Sequence, residues 1–157
     1  MIKKKIAILL PYKENYSESY AGAASIWVKD YLSSSKLKNI TNVYGNLKKN
    51  LRPLTSDFIN IDISGKVIRK NIKYTEILYR DCLKKKYSII EIHNRPESLL
   101  FLIKKKINSK LTFIFHNNPK DMRGSTSVNE RLFIAENCDQ VYFVSKWVKD
   151  KFFEDLP

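Results

Sequence analysis

Short apolar runs alternate along the whole chain with longer segments of helical period, and this alternation limits the fold more than any other feature. The runs lie at residues 5–12 (KIAILLPY), 40–45 (ITNVYG), 57–64 (DFINIDIS), 87–93 (YSIIEIH), 110–116 (KLTFIFH) and 140–145 (QVYFVS). Their length and content of β-branched and aromatic residues predict strands, two of them near the turn residues Gly45 and Gly65. Between them, apolar residues recur at helical spacing. Residues 17–35 carry Ala24, Ile26, Trp27, Val28, Tyr31 and Leu32, and residues 70–86 carry Ile72, Ile77, Leu78 and Leu83. Further helices are predicted over 96–107, 127–138 and 146–156. Strands alternating with helices through short connections imply an α/β, Rossmann-like three-layer domain with a mostly parallel sheet. At 157 residues without repeat or composition break, the chain reads as a single domain over 1–157.

Composition removes several function classes. An apolar share of 43% argues against disorder, yet runs such as IAILL and LLFLI are too short to span a bilayer. The basic start at Lys3-Lys4-Lys5 has neither the apolar length nor the cleavage site of a signal peptide, which predicts a cytoplasmic protein. Cys82 and Cys138 stand apart, with no CxxC and no nearby histidine, so they read as two reduced buried thiols and no metal site is expected. The 29 basic against 16 acidic residues give a net charge of +13. Such a charge attracts nucleic acid, acidic headgroups or phosphorylated substrates. Two of the lysine runs, 84–86 and 104–106, close predicted helices, where cations also suit the helix dipole.

In a parallel sheet, ligands gather at the carboxyl ends of the strands. The loops to read are therefore 11–22, 93–97, 116–126 and 145–147, and they hold both histidines of the chain. Ala21, Gly22 and Ala23 sit at a helix start, where exposed N–H groups and small side chains suit a phosphate or close packing on the sheet. The turn is neither a dinucleotide fingerprint nor a P-loop. In EIHNRPES (91–98), Asn94 at a predicted N-cap, Pro96 in the first turn and Glu97 three residues on form a capping box. His93 and Arg95 are left free to meet hydroxyls, phosphates or carboxylates. His116 ends the next strand, and Asn117, Arg123 and Ser125 follow in the longest polar loop. Ser127 with Glu130 forms a second capping box, and Ser145 reads as the N-cap of the last helix. No nucleophilic triad, paired carboxylates or metal-ligand spacing appears.

These loops resemble a known family. EIHNRPESLLFL, LTFIFHNNP and ERLFIAENCDQVYFVSKWVKDKF, with their CD-x-V-x-x-V-S pattern, resemble the N-terminal half of a family 4 glycosyltransferase with the GT-B fold. The resemblance is strongest over residues 87–154. It implies a retaining hexosyltransferase that moves a sugar from a nucleotide-sugar to a glycan or lipid-linked acceptor in lipopolysaccharide or cell-surface polysaccharide synthesis. It places His116 at the transferred sugar, Ala21, Gly22 and Ala23 near the donor diphosphate, and His93, Arg95, Asn117, Arg123 and Ser125 on the acceptor side. No cofactor and no nucleic acid are implied. The basic surface would meet an anionic membrane at the inner face of the cell membrane. The family's C-terminal donor-binding domain is absent here, which implies an N-terminal acceptor-side domain inactive by itself, or a subunit that pairs with a separate donor domain. The alternative is a non-catalytic basic α/β module binding nucleic acid or a partner protein.

Overall fold

The computed structural model describes residues 5–63 and 68–157, so Lys3, Lys4, Ser64 and Gly65 lie outside the described residues. In chain order the elements are β1 (Ile6–Leu9), α1 (Ala23–Ser34), β2 (Thr41–Gly45), β3 (Phe58–Asn60), α2 (Lys70–Lys85) and β4 (Ile89–His93). Then follow α3 (Pro96–Lys104), β5 (Lys110–Phe115), α4 (Val128–Asn137), β6 (Gln140–Phe143) and α5 (Lys146–Phe153). The strands form a six-stranded sheet in the order β3-β2-β1-β4-β5-β6, and each pairing is parallel. The domain is α/β and Rossmann-like, as the alternation predicts. The third strand is the weakest expectation: only Phe58–Asn60 of the 57–64 run pairs. Gly45 ends β2 rather than turning the chain, and a side chain there would meet the Phe58 ring at 2.8 Å.

Parallel strands need crossovers, and crossovers are right-handed. From β1 to β2 the chain moves toward one edge of the sheet, which puts α1 on one face. From β3 onward it moves toward the other edge, which puts α2, α3, α4 and α5 on the opposite face. The two cores reflect this division. Ala7, Leu9, Ile90, Ile92, Phe113 and Phe115 pack against Leu78, Leu99, Leu102, Ile134 and Phe152 of the four-helix side. Ile8, Leu10 and Val43 pack against Ala24, Val28 and Leu32 of α1. Apart from Trp27 of α1, which reaches over the ends of β4 and β5, no helix of the described chain lies over the α1-side face of β4, β5 and β6. A groove of about 560 Å³ remains there, between Trp27 and Tyr31 on one flank and Ile114 and Tyr142 on the floor.

Two helical faces differ from the sequence expectation. In α1 the buried stripe is Ala24, Ser25, Val28 and Leu32, while Ile26, Trp27 and Tyr31 stay partly exposed. Ala24, Val28 and Leu32 alone keep the four-residue spacing that points at the sheet. In α2 the stripe is Tyr74, Thr75, Leu78 and Cys82, and Ile77 and Leu83 are exposed. Tyr74 belongs inside because its hydroxyl donates to the Leu10 carbonyl (3.1 Å), and Thr75 because it bonds Ser98 of α3 (2.8 Å). Cys82 is buried and Cys138 half-buried, both free; burial pushes their thiols up to about 12 and about 11. Both capping residues of the last two helices stand as expected. Ser127 accepts from Glu130 N and Glu130 answers at Ser127 N, while Ser145 accepts from Val148 N.

The chain end is held by one buried cation. Arg131 of α4 is 1% exposed, and its guanidinium donates to the carbonyls of Phe152 (2.8 Å), Glu154 (2.8 Å), Thr126 (2.8 Å) and Ser125 (3.4 Å). Two of those carbonyls close α5, where a cation meets the negative end of the helix dipole. Arg131→Met would leave these acceptors unpaired inside the fold. The variant is expected to lose about 1–3 kcal/mol, the cost of leaving buried acceptors unsatisfied. A urea denaturation midpoint lowered at unchanged slope measures it.

Candidate active site

The direction of crossing reverses between β1 and β4, and at such a point the loops diverge and leave a crevice at the carboxyl edge. The two histidines meet here. Asn94, next after β4, has φ +56°, a left-handed conformation that asparagine tolerates better than most residues. The turn lets its Oδ1 accept from the backbone N–H groups of His116 (3.2 Å) and Asn117 (3.3 Å). Its own N–H donates to the Ile114 carbonyl (3.0 Å), so the ends of β4 and β5 are clamped together. This overturns the expected capping box of α3. Arg95 is the N-cap and makes no side-chain cap bond. Glu97 instead accepts from Asn71 of α2 (2.8 Å) and pairs with Arg123 (3.1 Å).

His93 is fully buried, so it does not line the acceptor side directly as the resemblance implied. Its Nδ1 lies 2.9 Å from His116 Nε2, and its Nε2 lies 2.7 Å from Glu91 Oε1. The two imidazoles stack with centroids 5.1 Å apart, and Trp27 closes over both at 5.4 and 6.2 Å. His116 is only partly buried and Asn117 is exposed. Burial, and secondly the neighbouring His93, pull the His116 imidazole down to about 4, so near neutral pH it is an uncharged ring.

A pocket of about 220 Å³ opens at the Asn94 turn that follows His93, with walls that include Tyr12, Lys13, Asn94, Arg95, Glu97, Asp121 and Arg123; neither histidine lines it. Arg95 spends Nη1 on the Asn94 carbonyl (2.9 Å), while its Nε is buried without a partner among the described residues. Arg123 is 79% exposed outside its pair with Glu97. Ser125 is a correction: it is fully buried, and its hydroxyl donates to the carbonyls of Pro119 (2.6 Å) and Met122 (3.2 Å). It shapes the loop. Gly124, at φ +94°, brings that loop onto α3, where an added Cβ would lie 2.9 Å from Glu97 N.

Gly22 is the N-cap of α1, as the phosphate-loop expectation needs, but an anion is already there. Glu14 Oε2 accepts from Ser25 N (2.9 Å) and Ser25 Oγ (2.7 Å), and the carboxylate lies against Gly22 where a Cβ would go. Ala21 and Ala23 flank this filled position. Sequence reasoning missed four residues of the site: Glu14, Lys13, Trp27 and Glu91. Only Glu91 left a signal, as a charge inside a strand. The lysine-rich helix ends lie at the opposite edge of the sheet, because every helix runs antiparallel to the strands it joins. Lys84, Lys86, Lys104 and Lys106 are exposed there. The cleft's own positive charge comes from Lys13, Arg95 and Arg123. Among the described residues no group of His, Cys, Asp and Glu could hold a metal, and no helix is long and apolar enough to cross a membrane.

Neither a family model nor a curated protein matches the sequence. Among solved structures, the chain is similar to a sucrose-phosphate synthase from Thermosynechococcus elongatus, with a TM-score of 0.55 and 18% identity. The match covers 88% of this chain and 42% of that one, so this chain spans less than half of that structure's length. The likeness is one of fold: a Rossmann-like domain shared with a GT-B glycosyltransferase.

The neutral His116 gives a pH signature. In the unfolded chain a histidine takes its proton near 6.5, whereas His116 in the fold resists it to about 4. Its contribution to stability is complete above 6.5 and is lost as pH falls from there toward about 4. NMR titration of the His116 ring should find its midpoint near the lower value; a midpoint near the ordinary one would show an imidazole open to water.

Proposed function

We propose that this domain is the acceptor-side half of a glycosyltransferase cleft, with His116 at the transferred sugar and Arg95 and Arg123 holding the acceptor. The donor is a nucleotide-sugar, the acceptor a glycan or lipid-linked glycan of cell-surface polysaccharide, and the transfer retaining. One observation carries this reading: an uncharged, half-exposed imidazole stands at the switch point of the sheet, tied through the Asn94 turn to a small pocket that holds Lys13, Arg95 and Arg123. A neutral ring can meet sugar hydroxyls without attracting counter-ions, and guanidinium groups match phosphate or carboxylate in paired hydrogen bonds. The fold shared with a glycosyltransferase supports the same reading. The lysine edge faces away from the cleft, so an anionic group on the acceptor itself is what Lys13, Arg95 and Arg123 suit.

A donor diphosphate at the Ala21–Ala23 turn requires Glu14 to leave Ser25. The two carboxylate bonds thus become a gate that donor binding has to open, and Glu14→Ala is expected to tighten binding of inorganic pyrophosphate to this chain.

The main test is an NMR titration of the labelled chain with UDP-glucose, GDP-mannose and glucose 6-phosphate. Amides of Arg95, His116 and Asn117 are expected to move, and Arg95→Ala should weaken the phosphorylated sugar by about tenfold or more, the worth of one charged hydrogen bond. No movement with any of the three would end the proposal. In a protein that joins this domain to a donor-binding domain, His116→Ala should slow transfer by about 10²-fold with the fold intact. An equal loss of stability would make it a packing histidine.

A further inference from the structure

We infer that Glu91 is a positioning residue: acting through the buried ring of His93, it decides which nitrogen of His116 carries the proton. The inference rests on hydrogen-bond inventory. A carboxylate only accepts, so the 2.7 Å contact requires His93 to present Nε2–H to Glu91 Oε1. A doubly protonated His93 would put the His116 proton on Nδ1; with His93 uncharged the pattern is the reverse, its Nδ1 is bare and accepts across the 2.9 Å contact, and His116 supplies Nε2–H. That leaves the Nδ1 lone pair of His116 without a partner among the described residues, on the half-exposed ring at the strand end. His116 is thereby fixed as an acceptor, suited to a ligand hydroxyl. Reversed, it would be a donor, suited to a carbonyl or phosphate oxygen.

Placement makes the device workable. Glu91 and His93 are two residues apart on β4 and so point to the same face, covered at His93 by Trp27 of α1 and open toward the groove at Glu91. The carboxylate borders the open groove, with its side chain 16% exposed, while His93 is sealed at 0%. Trp27 covers both rings and keeps competing water from the contact between them. The proton pattern at the cleft is therefore set from the far side of a dry histidine.

The role of the acceptor hydroxyl rests on the proposed function, but the tautomer does not, and it is measured on this chain alone. Nitrogen-15 spectra of the ring should show His116 protonated at Nε2 and bare at Nδ1 near neutral pH. Glu91→Gln keeps an oxygen that can accept from His93 and should retain that pattern. Glu91→Leu removes the acceptor and should move the His116 proton to Nδ1, wholly or as a mixture. A wild-type His116 protonated at Nδ1, or an unchanged pattern in Glu91→Leu, overturns the inference. Should the leucine variant fail to fold, the wild-type spectrum still decides. In a protein carrying both domains, Glu91→Leu should lower kcat at nearly constant KM, with Glu91→Gln restoring most of it. A correct tautomer with no effect on transfer would leave the relay standing and remove the sugar-transfer reading.

Discussion

The handedness of the crossovers governs this structure. A parallel sheet built in the order β3-β2-β1-β4-β5-β6 can change direction only once, between β1 and β4, and that single change decides everything at the carboxyl edge. It opens the crevice and sets the two histidines on neighbouring strands. It also sends four helices to one face while the other, over β4 to β6, receives none. The relay of Glu91, His93 and His116 needs all three results. A helix over that face would have to bury the carboxylate, at a desolvation cost that one histidine contact does not offset.

This asymmetry was partly written in the strands. A strand covered on both faces reads as a continuous apolar run. Here Ile90 and Ile92, and Leu111, Phe113 and Phe115, serve the four-helix side without interruption. The alternate positions mix polar with apolar residues: Ile89, Glu91 and His93, then Thr112, Ile114 and His116, then Gln140 and Tyr142. The polar members of this alternation signal a sheet whose second face is half open, and Glu91 is the charge among them. The strand ends and the Ser127–Glu130 box were legible because each rests on contacts within a few residues, and the parallel sheet because strands alternating with helices leave room for little else.

What stayed hidden depends on distant partners. Asn94 has the spacing of an N-cap, but the competition between capping α3 and clamping β4 to β5 is settled by two N–H groups more than twenty residues away. Ser125 looks like a ligand hydroxyl in a polar loop until the loop folds back on Pro119 and Met122. Trp27 looks like core because helical period cannot tell the stripe over a sheet from a stripe beside an open groove. The Glu14 carboxylate at Gly22 is set by residues eleven apart meeting across a loop, which no local pattern encodes.

The charge of the chain follows from the same geometry. All helices point their N-termini toward the cleft and their C-termini toward the amino edge of the strands. Acids stand at the first, in Glu97 and Glu130, with Glu14 reaching α1 from its loop; cations stand at the second, in Lys84, Lys85 and Lys104. Each such placement contributes about 0.3–1 kcal/mol through the helix dipole. These three lysines are thus matched to helix ends rather than to a ligand. An anion approaching the cleft meets the positive ends of the dipoles, already partly answered by the protein's own carboxylates. Its affinity then depends on the few cations left without such a partner, and Arg95, with a buried Nε still unpaired, is the one placed to decide it.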